Sequence, residues 1–105
     1  MANDAFAALA HPIRRGIVER LSGGPATVGE VSSDFGVSAP TISRHLKTLE
    51  EAGVVSRLID GRKHRLALRP DTLAQTSEWI DRQRTRWEAL FDAVGEYLEE
   101  QADET

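Results

Sequence analysis

The chain contains no cysteine. Disulfides, thiolate metal sites and cysteine nucleophiles are excluded at once. The absence fits a reducing compartment, and the cytoplasm is the expected location. No apolar run is long enough to cross a bilayer. No charged-then-apolar stretch of the secretory kind is present either, so no membrane partner is expected. Histidine is scarce: His11, His45 and His64 fall in three different predicted elements. Ligands scattered in that way rarely converge on a metal, so neither a metal nor a cofactor is expected. No glycine loop suited to cradling phosphate is present, because Gly23-Gly24-Pro25 reads as a linker. The Asp and Glu residues lie mostly on solvated helix faces. Without a positioned base and nucleophile, an enzyme is not expected. Aromatic residues make up only 6% of the chain. None forms a platform for stacking unpaired bases on the basic elements described below, which counts against RNA.

What is present centres on residues 27–49. Thr27 followed by Glu30 is a capping box and starts a helix. Val28, Val31 and Phe35 follow at spacings of three and four and form one buried stripe. Gly36 is read as the turn, because glycine accepts positive φ freely. Ser38 caps a second helix, expected over about residues 38–52, with Ile42, Leu46 and Leu49 as its buried stripe. At 100° per residue, Pro40, Ser43, Arg44, Lys47 and Thr48 fall on or near the opposite face. A core helix has no use for such a face, and a merely solvated helix more often carries Glu and Lys. These side chains suit a major groove, where they can touch base edges and phosphates. The pair reads as a helix-turn-helix, and double-stranded DNA is the expected partner.

The net charge of −4 runs against that reading until its distribution is considered. Residues 38–69 carry seven basic and three acidic side chains, while the rest carries six basic and fourteen acidic. A basic segment on an acidic body can aim one face at phosphate.

The flanking segments complete the pattern. At 105 residues the chain suits one domain, 1–105, around one modest core. Asp4 is read as the cap of a short helix whose apolar side is Phe6, Leu9 and Ala10. Pro12 suits the first turn of the next helix, which buries Ile13, Ile17, Val18 and Leu21. Gly53 is a natural stop for the recognition helix. Residues 54–59 and 62–68 read as two strands joined by an Asp60-Gly61 turn, a hairpin spanning about 54–68. Its tip, with Arg62, Lys63 and Arg65, is crowded with positive charge, and as a wing it would contact phosphate or the neighbouring minor groove. The plain alternative is an exposed hairpin whose charges guard its edge. A long helix follows over about 71–100. Leu73, Ile80, Trp87 and Val94 recur at sevens, and Leu90, Phe91, Tyr97 and Leu98 widen the stripe. Such a seam wants a partner helix. The expected partner is the same helix of a second chain, with Phe6 and Leu9 packed beside it, and the alternative is folding back on its own domain. Residues 99–105 are expected to fray. The fold class is therefore mainly α with a small β-hairpin (α+β), a winged helix-turn-helix.

The chain resembles the ArsR-type (ArsR/SmtB) family of bacterial winged-helix repressors. The matching residues run from Phe6 to Val18, from Val37 to Val55, and over Gly61-Arg62. The resemblance implies an α-α-α-α-β-β-α order and a homodimer joined through its terminal helices. It further implies repression at a palindromic operator, usually near the regulator's own promoter. The family's recognition positions fall on Ser38, Pro40, Thr41, Ser43, Arg44 and His45, and its wing positions on Arg62, Lys63 and His64. The chain departs from the best-known members at the sensor. Val28–Phe35 holds no Cys-x-Cys pair, and residues 69–105 hold no histidine.

Two readings of regulation follow. One is an inducer-free repressor governed by its own concentration. The other is a sensor with an apolar pocket at the dimer seam, near Trp79, Ile80, Trp87, Leu90 and Phe91. Tryptophans at helical spacing are more often interface core than ligand cage, so no ligand is expected. A winged helix that binds a protein partner is the remaining alternative. Ser43, Arg44, Lys47 and Thr48 on the outward face favour nucleic acid.

Overall fold

The computed structural model of the protein describes residues 2–103. Helix α1 (Ala2–Leu9) is followed by α2 (Pro12–Ser22), strand β1 (Ala26–Thr27) and α3 (Val28–Ser33). Then come α4 (Ala39–Glu51), the hairpin β2 (Val55–Asp60) and β3 (Lys63–Leu68), and α5 (Pro70–Asp103). The winged helix-turn-helix is present as expected, with one addition to the element order. Strand β1 pairs antiparallel with β3, Ala26 opposite Leu66 and Thr27 opposite Arg65, so the sheet order is β1-β3-β2.

Local chemistry sets most boundaries. His11 is the N-cap of α2, its Nδ1 accepting the Ile13 N–H at 3.1 Å, and Pro12 occupies the first turn. Thr27 Oγ1 accepts the Glu30 N–H at 3.1 Å and starts α3. Ser38 Oγ does the same for Thr41 at the start of α4. The end of α4 is a Schellman motif. The Val54 N–H reaches Leu49 O, the Gly53 N–H reaches Glu50 O, and Gly53 takes a φ of +73°.

Several local expectations are corrected. Asp4 lies inside the first turn of α1, not at its cap. Ala5 and Ala8 face the core, whereas Ala10 is exposed beyond the helix. Phe35 packs against the core from outside α3. Gly36 does not adopt positive φ; the linker instead tightens through a Val37 N–H to Phe35 O bond of 2.7 Å. Asp60 pairs with Lys63, so the hairpin loop is Gly61-Arg62. Gly61, with a φ of +62°, is its first central residue, the pattern of a type II′ turn. Arg62 belongs to this turn and not to the strand. The last helix runs on to Asp103, past the point where fraying was expected. Glu104 and Thr105, the end of that expected tail, lie outside the described residues.

Ile17, Val31, Ile42, Leu46, Leu49, Val54 and Leu66 are fully buried and bring α2, α3, α4 and the hairpin onto one core. Helix α5 joins it only at its start, where Leu73 packs on the cluster and Thr76 is buried with its hydroxyl on Thr72 O. Helix α1 crosses α5 next, with Phe6 edge-on to Trp79 at 5.1 Å. Beyond that point α5 projects outward, giving a long axis of 74 Å against 26 and 22 Å. Among the described residues no helix is long and apolar enough to cross a membrane.

Leu46→Ala should lower the unfolding free energy by about 2–5 kcal/mol, because it empties the centre of the core. Leu58→Thr, on the exposed side of β2, should change it by about 0.5 kcal/mol or less. Urea unfolding of the two variants checks the contrast.

Candidate nucleic-acid interface

The stripe of Ile42, Leu46 and Leu49 fixes which side of α4 meets solvent. Pro40, Ser43, Arg44 and Lys47 are exposed on that side. Arg44 has no carboxylate partner among the described residues, and Lys47 has only a long 3.9 Å approach to Glu51. The other expected positions are committed elsewhere. Ser38 and Thr41 cap the helix and share a hydroxyl contact of 2.8 Å. Thr48 is half-buried, its hydroxyl donating to Arg44 O at 3.1 Å. His45 is also half-buried and turns away from the outward face. Its Nδ1 lies 3.3 Å from Arg14 Nη1, and its ring lies 4.4 Å from that of His11. Burial first, then the neighbouring His11 and Arg14, hold the His45 imidazole below its ordinary pKa. The structure therefore brings four of the eight expected positions, Pro40, Ser43, Arg44 and Lys47, together on one exposed face.

The wing divides in the same way. Side chains alternate along a strand. The register sets Lys63 opposite Asp60 and Arg65 opposite Leu58, on the outer face. Leu66, opposite Arg57, points into the core. His64 shares that inner side and lies 3.1 Å from Arg57 Nη1. Arg62, Lys63 and Arg65 are exposed, and none has an ion pair among the described residues.

One connection was not anticipated from sequence. Arg57 of β2 forms an ion pair with Glu50 of α4 at 2.7 Å, with both side chains about one-third exposed. With the His64 contact, it braces the wing against the end of the recognition helix. The partners are seven residues apart on either side of a helix end, where no periodicity rule links them.

On α5, Trp87 and Phe91 meet edge-on at 4.9 Å and, with Leu90 and Val94, line a wholly apolar depression. Trp87 is 59% and Phe91 60% exposed, and Ile80 is exposed on the same helix. Phe6 and Leu9 are half-buried at the α1–α5 crossing.

A family model described as a helix-turn-helix domain matches residues 9–57, from the end of α1 into β2. The HTH-type transcriptional regulator Rv2034 of Mycobacterium tuberculosis is 37% identical over 101 residues, 96% of this chain and 92% of that one. The transcriptional repressor SdpR of Bacillus subtilis is 35% identical over 78 residues, 74% of this chain and 87% of that one. A crystal structure of the ArsR family transcriptional regulator RHA00566 has a TM-score of 0.77 at 35% identity, covering 82% and 94% of the two chains. The chain belongs to the ArsR-type family of winged helix-turn-helix transcriptional regulators. It is a DNA-binding regulator, of the subtype that lacks the thiolate pair in the first helix of the motif, here α3.

Arg57→Gln should leave global stability within about 1 kcal/mol, because a part-exposed ion pair contributes little. It should nonetheless speed amide exchange in β2 and β3. Hydrogen-exchange mass spectrometry of the hairpin reads this directly.

Proposed function

We propose that the protein is a homodimeric cytoplasmic repressor of a palindromic operator, controlled by its own concentration and acting near its own promoter. The observation that carries this reading is the unpaired cationic surface. Arg44, Arg62, Lys63 and Arg65 lack carboxylate partners among the described residues, although the chain carries 17 acidic side chains. Arg20, Arg57, Arg69 and Arg84 each have such a partner. Exposed cations grouped on the recognition helix and the wing form a surface that phosphate complements. In the proposed complex, Pro40, Ser43, Arg44 and Lys47 enter the major groove. Arg44 reads guanine through its bidentate donors, while Arg62, Lys63 and Arg65 meet the flanking backbone. Ser38 and Thr41 hold the helix end, and His45 and His64 support the two elements from behind.

The α5 seam supports the dimer. Trp87, Leu90, Phe91 and Val94 expose an apolar surface with no polar group to orient a small ligand, which suits helix-on-helix burial better than an inducer cage. Two-fold symmetry then asks for an inverted repeat with half-sites about 34–36 Å apart.

Selection from a random duplex library, with the mass of the complex determined, tests the whole reading. An inverted repeat bound by two chains is expected, whereas a folded protein that enriches no sequence would point to a protein partner. Arg44→Ala should cost about 1–3 kcal/mol and relax specificity at one base pair. A uniform loss across all sequences would make Arg44 a phosphate contact. Lys63→Ala should lower the salt slope by about one and leave specificity intact. Trp87→Asp should sediment as a monomer that binds the selected duplex poorly.

A further inference from the structure

The corner where α1, α2 and α4 meet holds three groups able to carry positive charge. Arg14 of α2 donates to Ala8 O and Ala7 O at the end of α1, and its Nη1 faces His45 Nδ1 at 3.3 Å. The His45 ring lies 4.4 Å from that of His11, tilted by 45°, and His11 Nδ1 accepts the Ile13 N–H. A guanidinium and a backbone N–H can only donate. Each Nδ1 therefore faces a donor and is placed to accept, which requires the ring proton to sit on Nε2. A proton on either Nδ1 turns an acceptor into a donor facing a donor. It also places a positive charge beside the permanent cation of Arg14.

No carboxylate is bonded to this cluster among the described residues. Asp4 of α1 and Glu51 of α4 share an open pocket with Arg14 but form no ion pair with it. Arg15 is occupied with Leu9 O. Arg44 and Lys47 flank His45 on α4 itself, and Arg57 of β2 is held by Glu50. Among the described residues the nearest carboxylates, Asp4 and Glu51, face Arg14 across the open pocket and neither is bonded to a histidine of the corner.

The geometry points to His45 as a positioning residue. Together with His11 and Arg14 it forms a proton-sensitive latch that keeps α4 docked on the α1–α2 corner. His45 precedes the buried Leu46 and follows the outward Ser43 and Arg44, so undocking its ring loosens the N-terminal half of α4. The lowered proton affinity of docked His45, caused first by burial and then by His11 and Arg14, sets the sign. The latch is fully closed above the ordinary imidazole value of about 6.5 and weakens as pH falls below it. Its consequence for DNA, a binding strength that declines on acidification, rests on the function proposed above.

The free full-length protein, labelled with 15N at histidine and at backbone amides, tests the latch without DNA. Ring shifts and amide protection factors are followed by NMR from about pH 8 to about pH 5. Both rings should be Nε2–H tautomers at high pH. His45 should titrate below about 6.5, and protection from Ile42 to Lys47 should fall in step. His45→Gln, which keeps an acceptor for Arg14 but cannot be protonated, should hold protection flat. His11→Asn, a cap without a titratable ring, is the second variant and should narrow the pH response. A His45 ring that titrates at or above its ordinary value, or α4 protection that ignores its titration, overturns the latch. On the selected duplex, wild type should lose affinity as pH falls below about 6.5, with His45→Gln much less affected. A working latch with pH-independent affinity overturns the coupling to DNA. A working latch in a protein that enriches no duplex supports the latch and overturns the DNA reading instead.

Discussion

Burial of three aliphatic side chains on α4 sets everything that the outer surface can do. Ile42, Leu46 and Leu49 have no exposed surface, and each contributes roughly 1.5–3 kcal/mol on leaving water. Rotating α4 by one residue would lift part of that stripe into solvent at a cost of several kcal/mol. The helix is thus held in one rotational setting. Ser38 at one end and the Schellman turn at Gly53 fix its position along the axis. The exposure of Arg44 and Lys47 follows from what lies beneath them rather than from anything those residues do themselves.

The same logic governs the wing. Leu66 is the one fully buried residue of β3, and period-two alternation then sends Lys63 and Arg65 to one side and His64 to the other. The Glu50–Arg57 pair and the His64 contact link this hairpin to the end of α4. Two elements with free cations are therefore held as one surface by an internal ion pair that spends neither of them. Arg57 is basic yet structural, and the difference between it and Arg62 lies in the carboxylate within its reach.

The core and the helix-turn-helix were legible in the sequence because their signals are local. Capping residues bond three positions ahead, and an apolar stripe repeats every three or four residues. Strand β1 was not legible, since two residues carry no period and their pairing with β3 depends on a contact some forty residues away. Gly36 misled because a flexible residue marks a turn without fixing its dihedrals. Thr48, placed outward by the wheel, and His45, placed among the recognition positions by the resemblance, are half-buried for one geometric reason. A helical wheel divides α4 into two faces, but α1 and α2 cover its flank as well, so residues beside the stripe are half-buried. Only the packing of three helices separates such a residue from Arg44, one position earlier in the chain.

Helix α5 shows a different limit. Its first turns belong to the core, yet most of its length carries Trp87, Leu90, Phe91, Val94, Tyr97 and Leu98 into solvent. A contiguous apolar and aromatic seam on a monomer is unfavourable in water and marks a place for a partner. In the proposed dimer, burying it ties DNA affinity to protein concentration, because a helix pair that assembles by mass action delivers two recognition helices together. Concentration would then serve as the signal. The seam that completes the fold and the switch that sets repression would be the same surface.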